Sequence, residues 1–375
     1  MSDTIGGAVR LTIFGESHGP AIGAVLEGIT PGTPVDETAV AAAMERRRAK
    51  GALSTARQEA DRVRFVSGVY RGRATGTAIA FFIENTNAKS SDYDKTAVLL
   101  RPGHADYTAL ARYEGFADPH GGGHFSGRLT APLVAAGAIC DAMLAGAGIT
   151  VATRLARCAG IPDAGTFDFE DPAALRGQLA ALKTAPFPVL DGAGGRAMAE
   201  AIAAAAAEGD SVGGILETVV LGMPAGVGEP FFDSVESVLS HLLFSIPGVK
   251  GVEFGDGFAL AGMKGSTAND SFRMAGDRVV TATNRNGGIN GGITNGMPIV
   301  FRTAVKPTPS IYKQQDTVDI AARRNAALAI HGRHDPCIAH RARAVQDALT
   351  ALALADLMAQ RYGPRWTEAN AWNSV

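Results

Sequence analysis

Short apolar runs, some of them alternating with polar residues, recur along the chain and predict β-strands. Glycine or polar residues bound each run, as is usual at the ends of strands. The clearest six lie at residues 9–14, 24–26, 63–70, 77–84, 215–221 and 299–305. Because these runs occur in both halves of the chain, we expect strands along most of its length.

Four longer segments have the composition of helices. They lie at residues 34–48, 130–145, 196–208 and 346–361. In the first, Asp36 is a candidate N-cap and good helix formers follow it. Strands and helices do not alternate strictly, as a doubly wound parallel sheet would require. The sequence therefore predicts an α+β fold.

The segment 132–150 comes nearest to a membrane span. It contains Asp141 and several glycines, so we expect a buried helix instead. The N-terminal segment carries Asp3 ahead of any apolar stretch and has no signal-like apolar core. These features predict a cytoplasmic protein.

Composition and charge exclude several classes of function. The chain has 375 residues, 46% of them hydrophobic, and a formal net charge of −2. No global charge attracts nucleic acid or an anionic membrane, so anion binding must come from local arginine clusters. The three cysteines, an odd number at wide spacing, argue against a disulfide framework and for a reducing compartment.

Two polar, glycine-rich stretches lie at residues 121–127 (GGGHFSG) and 284–296 (NRNGGINGGITNG). Such loops let the backbone approach a ligand closely and present N–H groups to anions. Neither matches the Rossmann or the P-loop fingerprint. Taken alone, each stretch is more typical of tight turns than of a ligand cradle.

Histidine and arginine supply the candidate chemistry. Histidines in loop-like segments, beside glycine, proline, serine or acidic residues, are His18, His104, His124 and His334. Since histidine titrates near neutral pH, this placement favours proton transfer. Three successive arginines occupy residues 46–48, a pattern that by itself is typical of a solvated helix end.

A zinc site is an alternative interpretation of one row of residues. At three-residue intervals stand His331, His334, Cys337 and His340. All are zinc-ligand types, but on a helix the first and last would face opposite sides, and Pro336 disfavours a helix there. We therefore predict no metal site. The sequence also assigns no base to Cys337 as a nucleophile.

Three segments resemble the signature blocks of chorismate synthase. They are GESHGPAIGAVLEGITPG (15–32), GGGHFSGRLTAPLVAAGAI (121–139) and GRHDPCIAHRARAVQDALTALALADL (332–357). Between them, in the family's order, stand RPGHADY (101–107), SVGGILE (211–217), GEPFFD (228–233), GVKGVEFGDGF (248–258) and KPTPS (306–310). The resemblance runs from about residue 4 to residue 357, and so many blocks in order are very specific.

The resemblance implies a single-domain sandwich of two antiparallel sheets with helices, assembled as a homotetramer. We expect the residues after about 362 to form a peripheral tail. The implied reaction is the 1,4-elimination of phosphate from 5-enolpyruvylshikimate 3-phosphate to chorismate, in the shikimate pathway of aromatic amino acid biosynthesis. Reduced flavin mononucleotide (FMN) is obligatory in the family, without net redox change. NADPH as an indirect reductant and a separate flavin reductase are further implied partners.

Catalytic and substrate-binding roles carry over by position. His18 matches the histidine that protonates the departing phosphate, and His104 matches the histidine beside the flavin. Asp335 resembles the carboxylate that relays a proton from the flavin. Substrate-binding positions, whose guanidinium groups suit carboxylates and phosphate, fall on Arg47, Arg101 and Arg128. The first of these also matches a nicotinamide-nucleotide position in some members.

The resemblance also implies a set of flavin contacts. They fall on His124, Ser126, Gly248, Gly291, Lys306, Pro307, Thr308, Pro309, Ser310 and Arg333. At His124 the chain departs from the family, many of whose members have arginine there. A protonated imidazole would make the same phosphate contact more weakly and only at lower pH.

Two other functional classes stay open at this point. One is a flavin oxidoreductase with its own reductase activity, against which the missing dinucleotide fingerprint counts. Stoichiometric consumption of NADPH would support it. The other is a non-catalytic ligand-binding relative, against which the intact His18, His104 and Asp335 count.

Overall fold

The computed structural model describes residues 3–48, 53–54, 61–86, 98–330 and 334–368. Its α-helices are α1 (Glu37–Arg47), α2 (Asp106–Arg112), α3 (Thr130–Gly146), α4 (Pro172–Thr184), α5 (Gly192–Ala207), α6 (Val235–Leu243), α7 (Gly265–Ala268) and α8 (Ala339–Tyr362). Arg333, predicted to contact the flavin, and His331 of the zinc row lie outside the described residues.

The strands are short and many. They are β1 (Thr4–Ile5), β2 (Arg10–Gly15), β3 (Ala21–Glu27), β4 (Val63–Ser67), β5 (Val69–Tyr70), β6 (Arg73–Ala74), β7 (Ile79–Glu84), β8 (Thr150–Cys158), β9 (Ile161–Pro162), β10 (Gly214–Leu221), β11 (Val249–Phe254), β12 (Phe272–Ala275), β13 (Arg278–Thr281), β14 (Ile289–Asn290), β15 (Ile293–Thr294), β16 (Ile299–Val305), β17 (Gln315–Asp319) and β18 (Arg324–Leu328). Each predicted strand is present. The run 63–70 is divided at Gly68, whose φ of +79° ends β4.

Two antiparallel sheets form the frame of the molecule. One has the strand order β1-β2-β3-β7-β4 and the other β11-β16-β10-β8-β9. Helices α3 and α8 pack on each other; α3 contacts β2 and β3 of the first sheet, and α8 contacts β8 and β10 of the second. The remaining strands pair as two-stranded hairpins. The predicted α+β sandwich is therefore confirmed.

The first sheet shows how period-two patterning builds the core. Across β3 and β7 the fully buried pairs are Ile22 with Ile83, Ala24 with Phe81, and Leu26 with Ile79. Successive residues of a strand point to opposite faces, so these alternate positions line one side. Burying each large side chain contributes about 1.5–3 kcal/mol. This face packs on α3, and the sheet positions the loops at its strand ends.

The capping residues explain where the helices begin better than the pattern of apolar residues does. Asp36 caps α1 as predicted, accepting a hydrogen bond from the backbone N–H of Thr38 at 2.8 Å. Helix α5 begins at Gly192 rather than at residue 196, because Asp191 accepts hydrogen bonds from the N–H groups of its first turn. Ser234 caps α6, a helix that the sequence did not predict.

Helix α8 begins at Ala339, so the predicted start at residue 346 was wrong. Three polar residues near this start, His340, Arg341 and Arg343, conceal it from an apolar pattern. One of them, Arg343, is only 3% exposed and donates to the carbonyls of Leu182 and Ala185. These bonds satisfy Nη1 and Nη2 of the buried guanidinium group, whose Nε has no partner among the described residues, and a helix turn that looks polar is thus packed inside the protein.

A buried polar network joins α8 to the second sheet. The Thr153 hydroxyl donates to the Asp347 carboxylate at 2.7 Å and is 2.6 Å from the Thr218 hydroxyl. Gln346 donates to Thr218 at 2.7 Å and accepts from Thr303 at 2.6 Å. Buried polar groups of this kind fix the register of an interface that apolar contacts alone leave degenerate.

Two further expectations concern α3 and the C-terminal tail. Residues Gly127–Gly146 are long and apolar enough to cross a membrane, but 72% of the most apolar window is buried inside the protein. The predicted buried helix is thus confirmed in α3. The tail is not peripheral over its described part, because Trp366 is fully buried and the Thr30 hydroxyl donates to the carbonyl of Pro364.

Candidate active site

The glycine tract 121–123 brings two of the predicted catalytic histidines together. All three glycines have positive φ, +61°, +84° and +51°. A Cβ atom at Gly121 would lie 2.0 Å from Cε1 of His18, and one at Gly122 would lie 3.1 Å from Cε1 of His104. Glycine is therefore required here both by backbone conformation and by space. The two imidazoles lie against consecutive residues of one loop.

His18 lies in the turn between β2 and β3. The N–H of Ser17 donates to the carbonyl of Gly123 at 3.2 Å, which docks this turn on the glycine tract. The side-chain amide of Asn85, just after β7, donates to the carbonyls of Glu16 and Gly19 at 2.9 and 2.8 Å. Two neighbouring segments, the glycine tract and the residue after β7, thus fix the loop that carries His18.

His104 is held by a carboxylate at the start of α2. Its Nδ1 lies 2.8 Å from Oδ1 of Asp106 and 3.1 Å from Nη2 of Arg101. Arg101 also donates to both Asp106 oxygens, through Nε at 2.8 Å and Nη2 at 2.7 Å. Burial alone would raise the pKa of Asp106, but the hydrogen bonds from Arg101 and His104 hold that pKa far below its usual range. Asp106 is therefore a permanent anion beside the imidazole.

The segment after β16 approaches the same loop. Lys306 donates from Nζ to the carbonyl of Gly103 at 2.5 Å, and its backbone N–H donates to the carbonyl of Gly248 at 2.8 Å. The hydroxyl of Ser211 donates to the carbonyl of Thr308 at 2.7 Å. Predicted flavin residues from two separate blocks are thus next to each other, beside the loop of His104.

Two buried polar atoms near these residues accept or donate no hydrogen bond within the described parts of the chain. They are Oγ1 of Thr308 and Nε2 of His334. Burial, with the positive charge of Arg101, lowers the pKa of His334, so its imidazole is neutral at physiological pH. Unsatisfied buried polar groups are rare in folded proteins, and these two are suited to a polar ligand.

Asp335 is positioned by an arginine of α8. Arg341 donates from Nη1 to Oδ2 of Asp335 at 2.6 Å and from Nε to the backbone carbonyl of Arg47 at 3.0 Å. One guanidinium group therefore links the predicted proton relay to the end of α1. The side chain of Asp335 is 14% exposed, so the carboxylate lies at an accessible edge.

Arg47 and Arg128 share one buried carboxylate. Both donate to Asp61, Arg47 at 3.0 Å, and all three side chains are less than 10% exposed. Arg47 also donates to Thr130 at 2.8 Å, and Arg128 to Asn85 at 3.0 Å. A solvated helix end was the wrong interpretation for Arg47. The cluster carries one net positive charge, and Arg47 joins it to the loop of the glycine tract by donating to the carbonyl of Gly127.

His124 and Ser126 lie in the same loop as the glycine tract. The imidazole of His124 donates from Nδ1 to the carbonyl of Gly15 at 2.9 Å when that nitrogen carries its proton, and Nε2 is 3.2 Å from Asp3. Ser126 accepts from the N–H of Arg128 at 3.3 Å. His124 therefore adjoins the strand end from which the His18 loop leaves.

The other predicted flavin residues divide between two places. Pro309 packs near Gly103, since a Cβ atom at Gly103 would lie 3.3 Å from that of Pro309. Pro307 adjoins Gly213, and Ser310 is buried in the same segment. Gly291 is an exposed turn residue between β14 and β15, and a Cβ there would meet no atom within 4 Å.

The three described members of the zinc row do not form one cluster, although His340 lies beside Cys337. His334 packs near the ring of Tyr312, and His340 stacks on Phe187 with ring centroids 5.9 Å apart. Cys337 instead faces Cys158, with 3.7 Å between the sulfur atoms. Among the residues that the structure describes, no group of three or more histidine, cysteine or acidic side chains could hold a metal ion.

Sequence reasoning missed several acidic partners. Asp106 stands in the RPGHADY block, only two residues after His104, and that spacing could have identified it. Asp61 lies in no block, so no signal pointed to it. Glu16, beside Asp118, also went unnoticed: burial and the Asp118 carboxylate raise the pKa of Glu16. This pair adds a protonatable group two residues from His18.

Comparison with known proteins agrees with this arrangement. The family model described as chorismate synthase matches residues 9–359. A chorismate synthase of Aeropyrum pernix is 45% identical over 98% of this chain and 96% of its own length. One of Chitinophaga pinensis is 45% identical over 95% and 96%, and one of Methanosarcina mazei 44% over 95% and 96%.

A solved structure extends the likeness to three dimensions. The crystal structure titled chorismate synthase superposes with a TM-score of 0.76 at 26% identity, covering 96% of this chain and 94% of that one. The blocks noted in the sequence, the two-sheet architecture and the extent of these matches agree with one another. The chain belongs to the chorismate synthase family of carbon–oxygen lyases.

Proposed function

We propose that the chain converts 5-enolpyruvylshikimate 3-phosphate into chorismate by 1,4-elimination of phosphate, with reduced FMN required and no net redox change. The observation that carries the proposal is the packing of His18 and His104 on consecutive glycines. That geometry supports two proton-handling groups at one small site. The names of the relatives support the same reaction class.

Charge at the site suits the substrate, which has two carboxylates and a phosphate. Arg101 and Lys306 lie beside the His104 loop, and the cluster of Arg47, Arg128 and Asp61 has a net positive charge. Preorganised cations lower the free energy of a polyanion and of a phosphate leaving group. Arg47 and Arg128 would act on substrate mainly through this field, since their guanidinium groups already bind Asp61.

His18 is proposed as the acid that protonates the departing phosphate. It lies in a rigid turn, which keeps its proton at a fixed place. Asp335, held by Arg341, is proposed to accept and pass on a proton at its accessible carboxylate. Acid–base groups of this kind typically contribute on the order of 10²- to 10⁴-fold each.

The residues present fit a flavin. Thr308 Oγ1 and His334 Nε2 are buried atoms that lack a partner within the described chain, and both lie where predicted flavin residues gather. Lys306 and Arg101 supply positive charge for an anionic ring system, and His104 lies beside Arg101. His124, Ser126, Gly248 and 306–310 would complete the contact, with Arg333 outside the described residues. When bound, reduced FMN supplies a transient electron and assists removal of the C6 proton.

Gly291 is proposed to reach a flavin across a subunit contact in a homotetramer, since it is exposed and no atom of the described chain lies within 4 Å of a Cβ there. We further propose that the chain is one domain, which is supported by a core cluster that draws on both sheets. NADPH or a separate flavin reductase would supply reduced flavin. The proposed location is the cytoplasm, without nucleic-acid or membrane partners.

An anaerobic assay tests the proposed function. Purified protein, 5-enolpyruvylshikimate 3-phosphate and chemically pre-reduced FMN should yield chorismate and one phosphate per substrate. With oxidised FMN and no reductant, no chorismate should form. Oxidation of one NADPH per turnover would favour the flavin oxidoreductase instead, and binding of substrate without turnover would favour a non-catalytic relative.

A further inference from the structure

Two buried cysteines from distant parts of the chain meet at the start of α8. Cys158 is the last residue of β8, and Cys337 precedes the helix. Their sulfur atoms are 3.7 Å apart, and both residues are fully buried. The third cysteine, Cys140, is buried within α3 and has no part in this pair.

Backbone hydrogen bonds hold the two cysteines to the same point of the second sheet. The N–H of Ala159 donates to the carbonyl of Gly213 at 3.1 Å, and the N–H of Val212 donates to the carbonyl of Pro336 at 2.8 Å. Each cysteine is thus adjacent to a residue anchored at positions 212–213. A disulfide needs a sulfur separation of about 2.05 Å, so the two sulfur atoms must approach each other by roughly 1.7 Å.

Cys337 has the more acidic thiol of the two. The hydrogen bond with Cys158 lowers the pKa of Cys337, and the neighbouring imidazole of His340 lowers it further against the effect of burial. The same hydrogen bond, together with burial, raises the pKa of Cys158. The sequence assigned no base to Cys337; the structure places His340, in the first turn of α8, beside it.

We propose that Cys158 and Cys337 are a redox modification site, a dithiol that hydrogen peroxide converts to a disulfide. The thiolate of Cys337 attacks one oxygen of the peroxide, which breaks the O–O bond and leaves a sulfenic acid and hydroxide. The thiol of Cys158 then attacks the sulfenic sulfur and displaces its oxygen as water. Overall two thiols lose two electrons and two protons, and one peroxide becomes two waters.

Buried cysteines are ordinarily inert, so the alternative to this proposal is that neither thiol reacts. A hydroperoxide as small as hydrogen peroxide reaches buried groups through local opening of the structure. Once the sulfenic acid forms, the resolving thiol is already in contact, so closure is faster than further oxidation. Cys140 has no such partner, and burial raises its pKa to about 12.

The test uses the reduced full-length protein and hydrogen peroxide. After exposure, the protein is denatured, free thiols are alkylated, and peptides are identified by mass spectrometry. We expect a linkage between the peptides of Cys158 and Cys337, an alkylated Cys140, and full reversal by dithiothreitol. The Cys140→Ala variant should give the same linkage. In Cys158→Ala, Cys337 should proceed to sulfinic acid, which dithiothreitol does not reverse.

Three alkylated thiols in folded wild-type protein, with the linkage found only after prior unfolding, would overturn the proposal. So would a wild type in which Cys140 is oxidised before the pair. Both readouts come from the wild-type protein and do not depend on the folding of a variant. They also require no substrate or flavin, so their outcome is independent of the proposed lyase activity.

Discussion

Asp106 lies 2.8 Å from Nδ1 of His104 and binds the guanidinium group of Arg101 with both oxygens. Because the carboxylate is an acceptor only, it favours the form of His104 that carries a proton on Nδ1. The other nitrogen, Nε2, then faces Gly122, where a Cβ would lie 3.4 Å away. The carboxylate thus decides which atom of His104 is presented to the site.

Replacing this carboxylate by an amide should impair turnover more than binding. In Asp106→Asn the side chain has similar volume but can no longer hold the Nδ1 proton and Arg101 together. We expect kcat to fall on the order of 10²-fold, since a misoriented imidazole loses its acid–base contribution. Steady-state kinetics with pre-reduced FMN measure this decrease in kcat. Asp277→Asn, at an exposed hairpin turn, is the matched control. A kcat equal to that of the control would contradict the positioning role.

The same variant should alter the pH dependence of stability. The folded pKa of Asp106 lies below its unfolded value of about 3.9, so its contribution is complete above that pH and is lost as pH falls below it. Urea unfolding should show Asp106→Asn less stable than wild type by about 1–3 kcal/mol near pH 7. The difference should shrink below about pH 4. A difference that does not change with pH would show that Asp106 is not stabilised as an anion.

Gly121→Ala separates backbone strain from crowding of His18. Gly121 and Gly276 have nearly the same φ, +61° and +62°, but only at Gly121 would a Cβ meet an imidazole. Both alanine variants should lose about 1–2 kcal/mol of stability from the left-handed backbone. Only Gly121→Ala should also lose turnover, on the order of 10²-fold, because His18 must move. Equal kcat values for the two variants would mean that the position of His18 is unimportant.

His18→Ala distinguishes an acid from a structural residue. An interaction made only in the transition state appears in kcat, whereas uniform binding appears in KM. We expect kcat to fall on the order of 10²-fold or more with flavin affinity nearly unchanged. His241→Ala, at an exposed position of α6, serves as the control. Turnover within a few-fold of wild type, measured on folded protein, would assign the proton donor elsewhere.

The cluster of Arg47, Asp61 and Arg128 should be important for stability. Asp61→Asn leaves two buried guanidinium groups without their carboxylate, which typically costs about 3–5 kcal/mol. Glu27→Gln, which breaks the exposed ion pair with Arg10, should cost less than about 1 kcal/mol. Denaturant unfolding of both variants measures the contrast. Similar losses for the two would show that the buried cluster is not a structural unit.

The sequence allowed the fold class, six of the strand runs and four of the eight helices (α1, α3, α5 and α8) to be predicted, because alternation and capping are local signals. Where burial involves polar residues, that signal fails, and for this reason the start of α8 at Ala339 was missed while Arg343 looked exposed. The packing of His18 and His104 on one glycine tract needed the fold, since residues 18, 104 and 121 are far apart in sequence. Asp61 could not be found because pairing with two distant arginines leaves no local pattern.

The most direct measurement is the anaerobic assay with 5-enolpyruvylshikimate 3-phosphate and pre-reduced FMN, run on wild type and on His18→Ala side by side. We expect the wild type to form chorismate and phosphate in equal amounts, with the flavin still reduced at the end, and the variant to form them on the order of 10²-fold more slowly. No chorismate from folded, flavin-bound wild type, or flavin oxidised in proportion to product, would contradict a lyase reaction without net redox change.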